Sequence, residues 1–334
     1  MNFIKTIAIT GALAIGMSAA ASAQTILKLA TAAPENTPWG AQVQRLAAAI
    51  SEESEGRLQV EPYFNSQLGS ENDTLAQLAR GRIEMGLFTI SAGAQQAPEI
   101  GLMQLYGYYD SNEQRACVQE NHLTDEVRNR LGEHGVYFGA WAEVGNGYLM
   151  SDRPVTSIED LQGLRVGISV NRINTAYWQT LGANPVPLSP GEAASAASTG
   201  LIDVYPTVYT FYIPSGFNEI YPIVSEYNYA NGPGMWAMSQ RVMDGMSDEN
   251  QAAVQRAYAR FNSQEIMDEI FAFEDVLRGV HERSGGQIVQ LTEEQIAGFR
   301  DRLPPFWAEM VADFGDEGAA IMALMEDGKA ACAN

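Results

Sequence analysis

A chain of 334 residues is long enough for two domains with separate hydrophobic cores, so it needs no disulfide framework to fold. Its 41 acidic residues outnumber the 20 basic ones, which argues against nucleic acid as a partner, because nucleic-acid binding relies on basic patches that neutralise phosphates. The excess of acid favours solubility instead.

The first 23 residues predict a secretory signal peptide. Lys5 precedes an apolar run at residues 7–17, and the small residues Ala21, Ser22 and Ala23 precede Gln24 as a cleavage site would. The apolar run is too short for a membrane anchor, and no later stretch approaches the ~20 apolar residues of a spanning helix. We therefore expect an exported chain that begins at Gln24 and carries a net charge of −22.

The exported chain opens with a β-α-β-α-β pattern. Strands are predicted at residues 26–31, 59–64 and 83–88, and helices at 39–54 and 72–79. Gly56 and Gly81 follow the two helices, where glycine ends a helix by adopting positive φ. Trp39 lies at the start of the first helix, and it is either a platform for a ligand or a packing residue of that helix.

The middle of the chain predicts a first crossing between two lobes. A helical stretch that carries Cys117 leads through Gly135 to a strand at 136–141, and the glycine-bearing segment 143–151 then forms the crossing. Two cysteines in an exported chain, Cys117 and Cys332, form either one structural disulfide or two free thiols.

A second β-α-β-α-β pattern follows, with strands at 164–169, 184–188 and 202–205 and a helix at 172–181 between the first two. Ser189, Pro190 and Glu192 supply an N-cap, a first-turn proline and a capping-box acid for the next helix. Because parallel sheets bind ligands at the carboxyl ends of their strands, two such lobes predict a cleft between them. The fold class is therefore α/β with two lobes.

The remainder predicts a return crossing at 231–234 and one long helix over residues 249–281. At ~1.5 Å per residue this helix would be roughly 50 Å long and would span both lobes. We predict lobe I at residues 24–143 plus 234–270 and lobe II at 144–233 plus 271–334. Two crossings permit hinge closure.

Several segments resemble the solute-binding proteins of tripartite ATP-independent periplasmic (TRAP) transporters, in order and spacing. They are residues 51–60 (SEESEGRLQV), 66–70 (SQLGS), 81–85, 161–166 (LQGLRV), 181–188 with Glu192, and 200–203 (GLID). The resemblance implies a periplasmic binding protein fold and a monomeric receptor without a cofactor. Such a receptor closes on a small organic solute, most often a carboxylate, and delivers it to a membrane permease.

The chain departs from this family where the ligand carboxylate is usually held. The resemblance places the two family arginines on Gly147 and Gly167, and a family asparagine on Thr207.

Two alternative pockets remain open as predictions. In the first, which family habit favours, Arg172 with Thr89, Asn146 and Thr207 binds a carboxylate, although Arg172 is equally well read as a solvated residue. In the second, the room left by the glycines lets aromatic rings enclose a neutral or cationic solute, the rings being Trp39, Trp141, Tyr148, Tyr205, Tyr209 and Trp236.

Catalytic and metal-binding patterns are missing from the sequence. His122, His134 and His281 have no metal-ligand spacing, and no nucleophile or phosphate-loop motif occurs. We therefore predict a binding protein without a metal or cofactor, with an exported enzyme disfavoured. A sensor that reports its ligand to a signalling partner is not separable from a transport receptor at this point.

Overall fold

The structure is a computed structural model that describes residues 24–169 and 171–333, without the side chains of Tyr229 and Asn231. The predicted signal peptide lies outside this part of the chain.

The strands form one sheet. In chain order they are β1 (Thr25–Thr31), β2 (Leu58–Tyr63), β3 (Met85–Thr89), β4 (Val136–Ser151), β5 (Arg165–Ile168), β6 (Asn184–Pro187), β7 (Val204–Thr207), β8 (Ile223–Ser239) and β9 (Gln287–Gln290). Their order across the sheet is β2-β1-β3-β8-β4-β7-β5-β6, and β9 pairs with β8. We call β2-β1-β3 the N-terminal half-sheet and β7-β5-β6 the C-terminal half-sheet. Each is parallel within itself.

Helices cover the sheet. They are α1 (Pro38–Glu53), α2 (Glu71–Ala79), α3 (Ile90–Gly93), α4 (Asn112–Val118), α5 (Thr124–Glu133), α6 (Ile158–Leu161), α7 (Arg172–Thr180), α8 (Ala193–Ser198), α9 (Tyr209–Tyr212), α10 (Gln240–Asp244), α11 (Asp248–Tyr258), α12 (Ser263–Arg283), α13 (Glu293–Arg300), α14 (Leu303–Asp313) and α15 (Gly315–Ala331).

Both predicted β-α-β-α-β units are confirmed, and the sequence explains their helix starts. The Thr37 hydroxyl accepts the Gly40 N–H at 3.2 Å to cap α1, and the Ser70 hydroxyl accepts the Asp73 N–H at 3.2 Å to cap α2. In the second unit the side chain of Asn171 caps α7. The parallel strands therefore end at one edge in each half-sheet, where loops lead into capped helices.

The two long antiparallel strands β4 and β8 join the half-sheets. The first part of β4 pairs with the part of β8 that also pairs with β3, and the last part of β4 pairs with β7. Their register shifts between Glu143 and Gly145 and between Gly147 and Leu149, inside the predicted first crossing. Such irregularities bend a strand, so this is where the chain passes from one half-sheet to the other.

The prediction of one helix over residues 249–281 is wrong, because the helix breaks between α11 and α12. Asn262 has an extended backbone, and its side chain accepts hydrogen bonds from the N–H groups of Gln264 at 2.9 Å and Glu265 at 3.1 Å. Asparagine prefers this capping role to a helix interior. The 21 residues of α12 still reach both halves, since Ile270 packs in a core with β1 and β3, and Leu277 in a core with β7.

The C-terminal helices contact elements of both halves. Helix α14 packs on α7, whereas α15 packs on α4 and on the short helical turn Pro98–Gln104. Cys117 and Cys332 form a disulfide, which fixes the end of α15 to α4. The pairing that the sequence left open is therefore present. The lobe boundaries proposed from the sequence stay a prediction.

Candidate functional site

A cavity of about 210 Å³ lies where the two half-sheets face each other. The carboxyl ends of β1, β3, β5 and β7 point towards it, and the crossing parts of β4 and β8 form its floor, as the two-lobe pattern predicts. Its lining comprises Ala32, Ala33, Pro34, Thr37, Trp39, Glu71, Thr89, Ser91, Gln104, Tyr106, Val144, Gly145, Gly147, Gly167, Ile168, Ser169, Asn174, Trp178, Pro190, Tyr205, Pro206, Thr207, Val208, Thr210, Phe211, Ala230, Gly232, Pro233 and Ile270.

Aromatic rings supply much of the wall. Trp39 and Tyr106 come from the N-terminal side, and Trp178, Tyr205 and Phe211 from the C-terminal side. The Trp39 indole N–H donates to the carbonyl of Glu143, which holds the ring against β4. Trp39 is also part of the core beneath α1, which is one of the two roles that the sequence left open, and its role as a platform for a ligand stays a prediction. Rings anchored in this way form a preorganised apolar wall.

One carboxylate, that of Glu71, lines the cavity. Glu71 is the first residue of α2, and its Oε1 accepts the Thr89 backbone N–H at 2.6 Å while its Oε2 accepts the Thr89 hydroxyl at 3.0 Å. Burial raises the pKa of Glu71, and the two bonds from Thr89 oppose this rise. The Thr89 hydroxyl also accepts the Ala92 N–H at 3.1 Å, so its hydrogen-bonding capacity is largely used and it orients Glu71.

Polar groups link the two sides across the cleft. Asn171 Nδ2 donates to the Ser91 hydroxyl at 3.2 Å, and the Thr210 hydroxyl donates to the Val144 carbonyl at 3.1 Å. Nearby, Asn174 Nδ2 donates to the Ser169 carbonyl at 2.9 Å. The two halves are therefore in contact around the cavity.

The described lining of the cavity carries a negatively charged side chain and no positively charged one. Among the described lining residues there is no arginine, lysine or histidine, and Glu71 is the only carboxylate. Six of the residues that the sequence singled out do line this cavity, namely Trp39, Thr89, Gly147, Gly167, Tyr205 and Thr207.

Arg172 does not line the cavity in this structure, so the carboxylate pocket built around it stays a prediction. Its guanidinium pairs with Glu309 at 3.0 Å and with Asp313 at 2.5 Å, and 44% of its side chain is exposed. These partners are on α14, which packs against α7, so they draw the arginine to the outer surface. In this structure Arg172 is thus a partly exposed residue, as the second of its two interpretations has it.

Five other predicted residues also lie outside the lining. Trp141 donates to the Thr124 hydroxyl at 2.8 Å, and Trp236 is fully buried beside Phe261. Tyr209 is fully buried and donates to Glu226 at 3.0 Å. The side chain of Asn146 accepts from Asn112 and Asn228. Trp141, Trp236 and Tyr209 have cores or polar partners of their own that turn them from the cleft. Tyr148, whose ring packs beside Tyr209, lies outside the lining as well.

The free space beside Gly167 is smaller than the presence of a glycine suggests. A Cβ atom at this position would lie 3.0 Å from Ile202, 3.1 Å from Leu188 and 3.2 Å from Tyr205, all side-chain contacts. The Tyr205 ring and two aliphatic side chains thus occupy the space into which a larger residue would project. An arginine at 167 would fit only if these neighbours moved.

Sequence reasoning missed Glu71, Asn174 and Trp178, although a signal existed for each of them. Glu71 follows the helix cap Ser70 in the segment that connects β2 to α2, and Asn174 and Trp178 share one face of α7 because they are four residues apart.

A family model described as bacterial extracellular solute-binding protein, family 7, matches residues 29–313. The chain belongs to this family. These are the TRAP solute-binding proteins, so the chain is a periplasmic-type binding protein rather than an enzyme.

Known relatives and solved structures are similar to this chain over most of its length. A solute-binding protein of Roseobacter denitrificans is 26% identical over 255 residues, covering 75% of this chain and 78% of its own length. The ectoine-binding periplasmic protein TeaA of Halomonas elongata is 23% identical and covers 96% of this chain and 94% of its own. The structure of a TRAP solute-binding protein of Xanthobacter autotrophicus with bound β-D-galacturonate superposes with a TM-score of 0.84 at 22% identity, over 91% of this chain and 99% of that one. The periplasmic binding protein fold predicted from the sequence is confirmed.

In the described part of the chain, no helix is long and apolar enough to cross a membrane. No group of three or more histidine, cysteine, aspartate or glutamate side chains there is arranged to hold a metal ion.

Proposed function

We propose that this protein is the periplasmic receptor of a TRAP transporter and that it captures a small neutral or positively charged organic solute in its aromatic cleft. The observation that carries the proposal is the lining itself, which among described residues contains Glu71 and no basic side chain. A buried carboxylate ligand needs a cation or several donors to offset its lost hydration. Family membership supports the transport role, in which the receptor delivers its solute to the permease.

A carboxylate ligand is the second candidate. The similar Xanthobacter protein binds galacturonate, and this cavity does offer neutral polar groups in Thr207, Asn174 and Ser91. A carboxylate here would be held by hydrogen bonds alone, with Glu71 repelling it. The two candidates therefore predict opposite preferences between solutes that differ only in charge.

We also propose that the protein is exported and that it is a monomer. The sequence predicts cleavage after Ala23, so mass spectrometry of the periplasmic form should give a chain that starts at Gln24. Recovery of a periplasmic protein that retains residues 1–23 would contradict the cleavage. Sedimentation of the same material should give the mass of one chain.

A thermal-shift screen of organic amines, polyols, zwitterions and sugar acids tests the function. A ligand at a hundred times its Kd adds about 2.7 kcal/mol of stability, so hits should be clear. Each hit is then titrated against Trp178→Ala, which removes a ring of the cavity, and against Trp307→Ala, which alters a tryptophan outside its lining. Loss of binding only in the first variant is expected. Hits that bind both variants equally would contradict binding in this cleft.

Small-angle scattering with and without a confirmed ligand tests closure of the two halves. The two crossings predict that the radius of gyration falls when the ligand binds. An unchanged radius with saturating ligand would rule out closure but would leave the binding role intact.

A further inference from the structure

Among residues 24–169 and 171–333, the Glu71 carboxylate has no positively charged partner. The influences on its pKa are burial and the two hydrogen bonds from Thr89, and no basic side chain is among them. It is absent from the ion pairs of the described residues, although acids elsewhere in the chain, such as Glu143 and Glu226, pair with arginine. A carboxylate removed from water without a counter-charge is costly, and a residue whose pKa is perturbed in this way inside a cleft is a candidate for a functional site.

The carboxylate is also held in a fixed position. Both of its oxygens accept bonds from the same residue, Thr89, whose hydroxyl is itself fixed by the Ala92 N–H. Each oxygen retains further acceptor capacity, because an ionised carboxylate offers about four lone-pair sites in total. Because Glu71 lines the cavity, these unused acceptor positions belong to a side chain of the cavity wall.

The Glu71 carboxylate also affects a residue on the opposite side of the cleft. The Glu71 charge contributes, after burial, to raising the pKa of Tyr205, which lies on the opposite half-sheet. The two residues therefore face the same space, with the rings of Trp39 and Trp178 also in its wall. Aromatic faces attract cations, and the acidic chain as a whole has the same preference.

We infer that Glu71 is the specificity-determining residue of the cleft and that it binds a protonated amine or another N–H-bearing cation of a small cyclic or aromatic solute. The inference rests on the proposed function and narrows its ligand class. In the complex the cation donates to Oε1 or Oε2 of Glu71, Thr89 positions the carboxylate, and the rings cover the apolar part of the solute.

The test uses sets of probes matched in shape and different in charge. One set is benzylamine, benzyl alcohol and benzoate, and another is cyclohexylamine, cyclohexanol and cyclohexanecarboxylate, within a wider panel of cyclic amines and their counterparts. Calorimetric titration should rank amine above alcohol above carboxylate. A reversed order, with carboxylates bound best, would overturn the inference.

Glu71→Gln keeps the shape of the side chain and removes its charge. An amine that binds the wild type should bind this variant roughly 30-fold or more weakly, as expected when one partner of a buried charge pair is lost. Affinity for the alcohol should change little. The matched control is Asp327→Asn, an equal change of charge at an exposed position on α15, which should leave all affinities unchanged.

A pH series separates a direct charge contact from a structural effect. Because burial raises the pKa of Glu71, the amine affinity of the wild type should rise as the pH is brought above the ordinary carboxyl range and Glu71 ionises, and Glu71→Gln should show no such rise. Equal amine affinity in both proteins would refute the role of Glu71. If solutes bind the cleft but no amine does, this inference fails and the receptor function stands. If no solute of any class binds, the proposed function fails too.

Discussion

Glu274 on α12 accepts the backbone N–H of Asn146 on β4 at 3.1 Å, which joins the helix that reaches both halves to the strand that crosses between them. The Glu274 side chain is buried and faces other acids. Burial raises its pKa well above the ordinary value, and the charges of Glu143, Asp275 and Glu226 raise it further, against the bond from Asn146. Two of these acids have arginine partners, Arg115 for Glu143 and Arg278 for Glu226.

This raised pKa makes a prediction about stability and pH. A carboxyl group with a higher pKa in the folded state stabilises the protein below its unfolded pKa, and the contribution is lost as pH rises through the folded value. We therefore expect Glu274→Gln to raise the free energy of unfolding by roughly 1–3 kcal/mol at about pH 8, and to change it little at about pH 5. Thermal melts across this range measure the effect.

Asp268 provides the control. It is exposed on the same helix and is not among the charges that raise the pKa of Glu274, so Asp268→Asn should leave the slope of stability against pH close to that of the wild type. A Glu274→Gln protein whose melting temperature follows the wild-type pH curve would show that Glu274 does not titrate as its burial implies.

The ion pair of Arg115 and Glu143 predicts a large loss on truncation. Both side chains are buried, and Arg115 Nη1 also donates to Gln119 at 2.7 Å. Arg115→Met leaves the Glu143 charge buried and unpaired, so we expect a loss of roughly 3–5 kcal/mol by chemical denaturation. Arg115→Met with Glu143→Gln should recover part of it. A double variant no more stable than the single one would contradict this account.

The disulfide predicts a stability effect through the unfolded chain. Cys117 and Cys332 are separated by 215 residues, and closing so long a loop removes much conformational freedom from the unfolded state. We expect Cys117→Ser with Cys332→Ser to lose about 2–5 kcal/mol. Denaturant titration of the variant and of the oxidised protein measures it, and identical midpoints would argue against a structural bridge.

The sequence predicted repeated local patterns well and pairings between distant residues poorly. Caps such as Ser189 and glycines such as Gly81 are local signals, so the two β-α-β-α-β units, and with them a cavity at their strand ends, could be predicted from the sequence. The break at Asn262 was missed because a long amphipathic run outweighed one capping residue. The position of Arg172 could not be decided from the sequence, because its partners on α14 are more than 130 residues away in the chain.

The position of Arg172 leads to the last prediction. Its pairs with Glu309 and Asp313 are partly exposed and screened by solvent, so Arg172→Ala should reduce stability by less than about 1 kcal/mol. The side chain is outside the cavity lining, so the affinity for a solute identified by the screen should stay within about twofold of the wild type, whereas loss of a buried partner costs roughly 2–5 kcal/mol. Titration of the variant beside Trp178→Ala measures both cases under the same conditions. A tenfold loss in Arg172→Ala would mean that the arginine leaves α14 and enters the cleft when the solute binds, which would restore the carboxylate pocket.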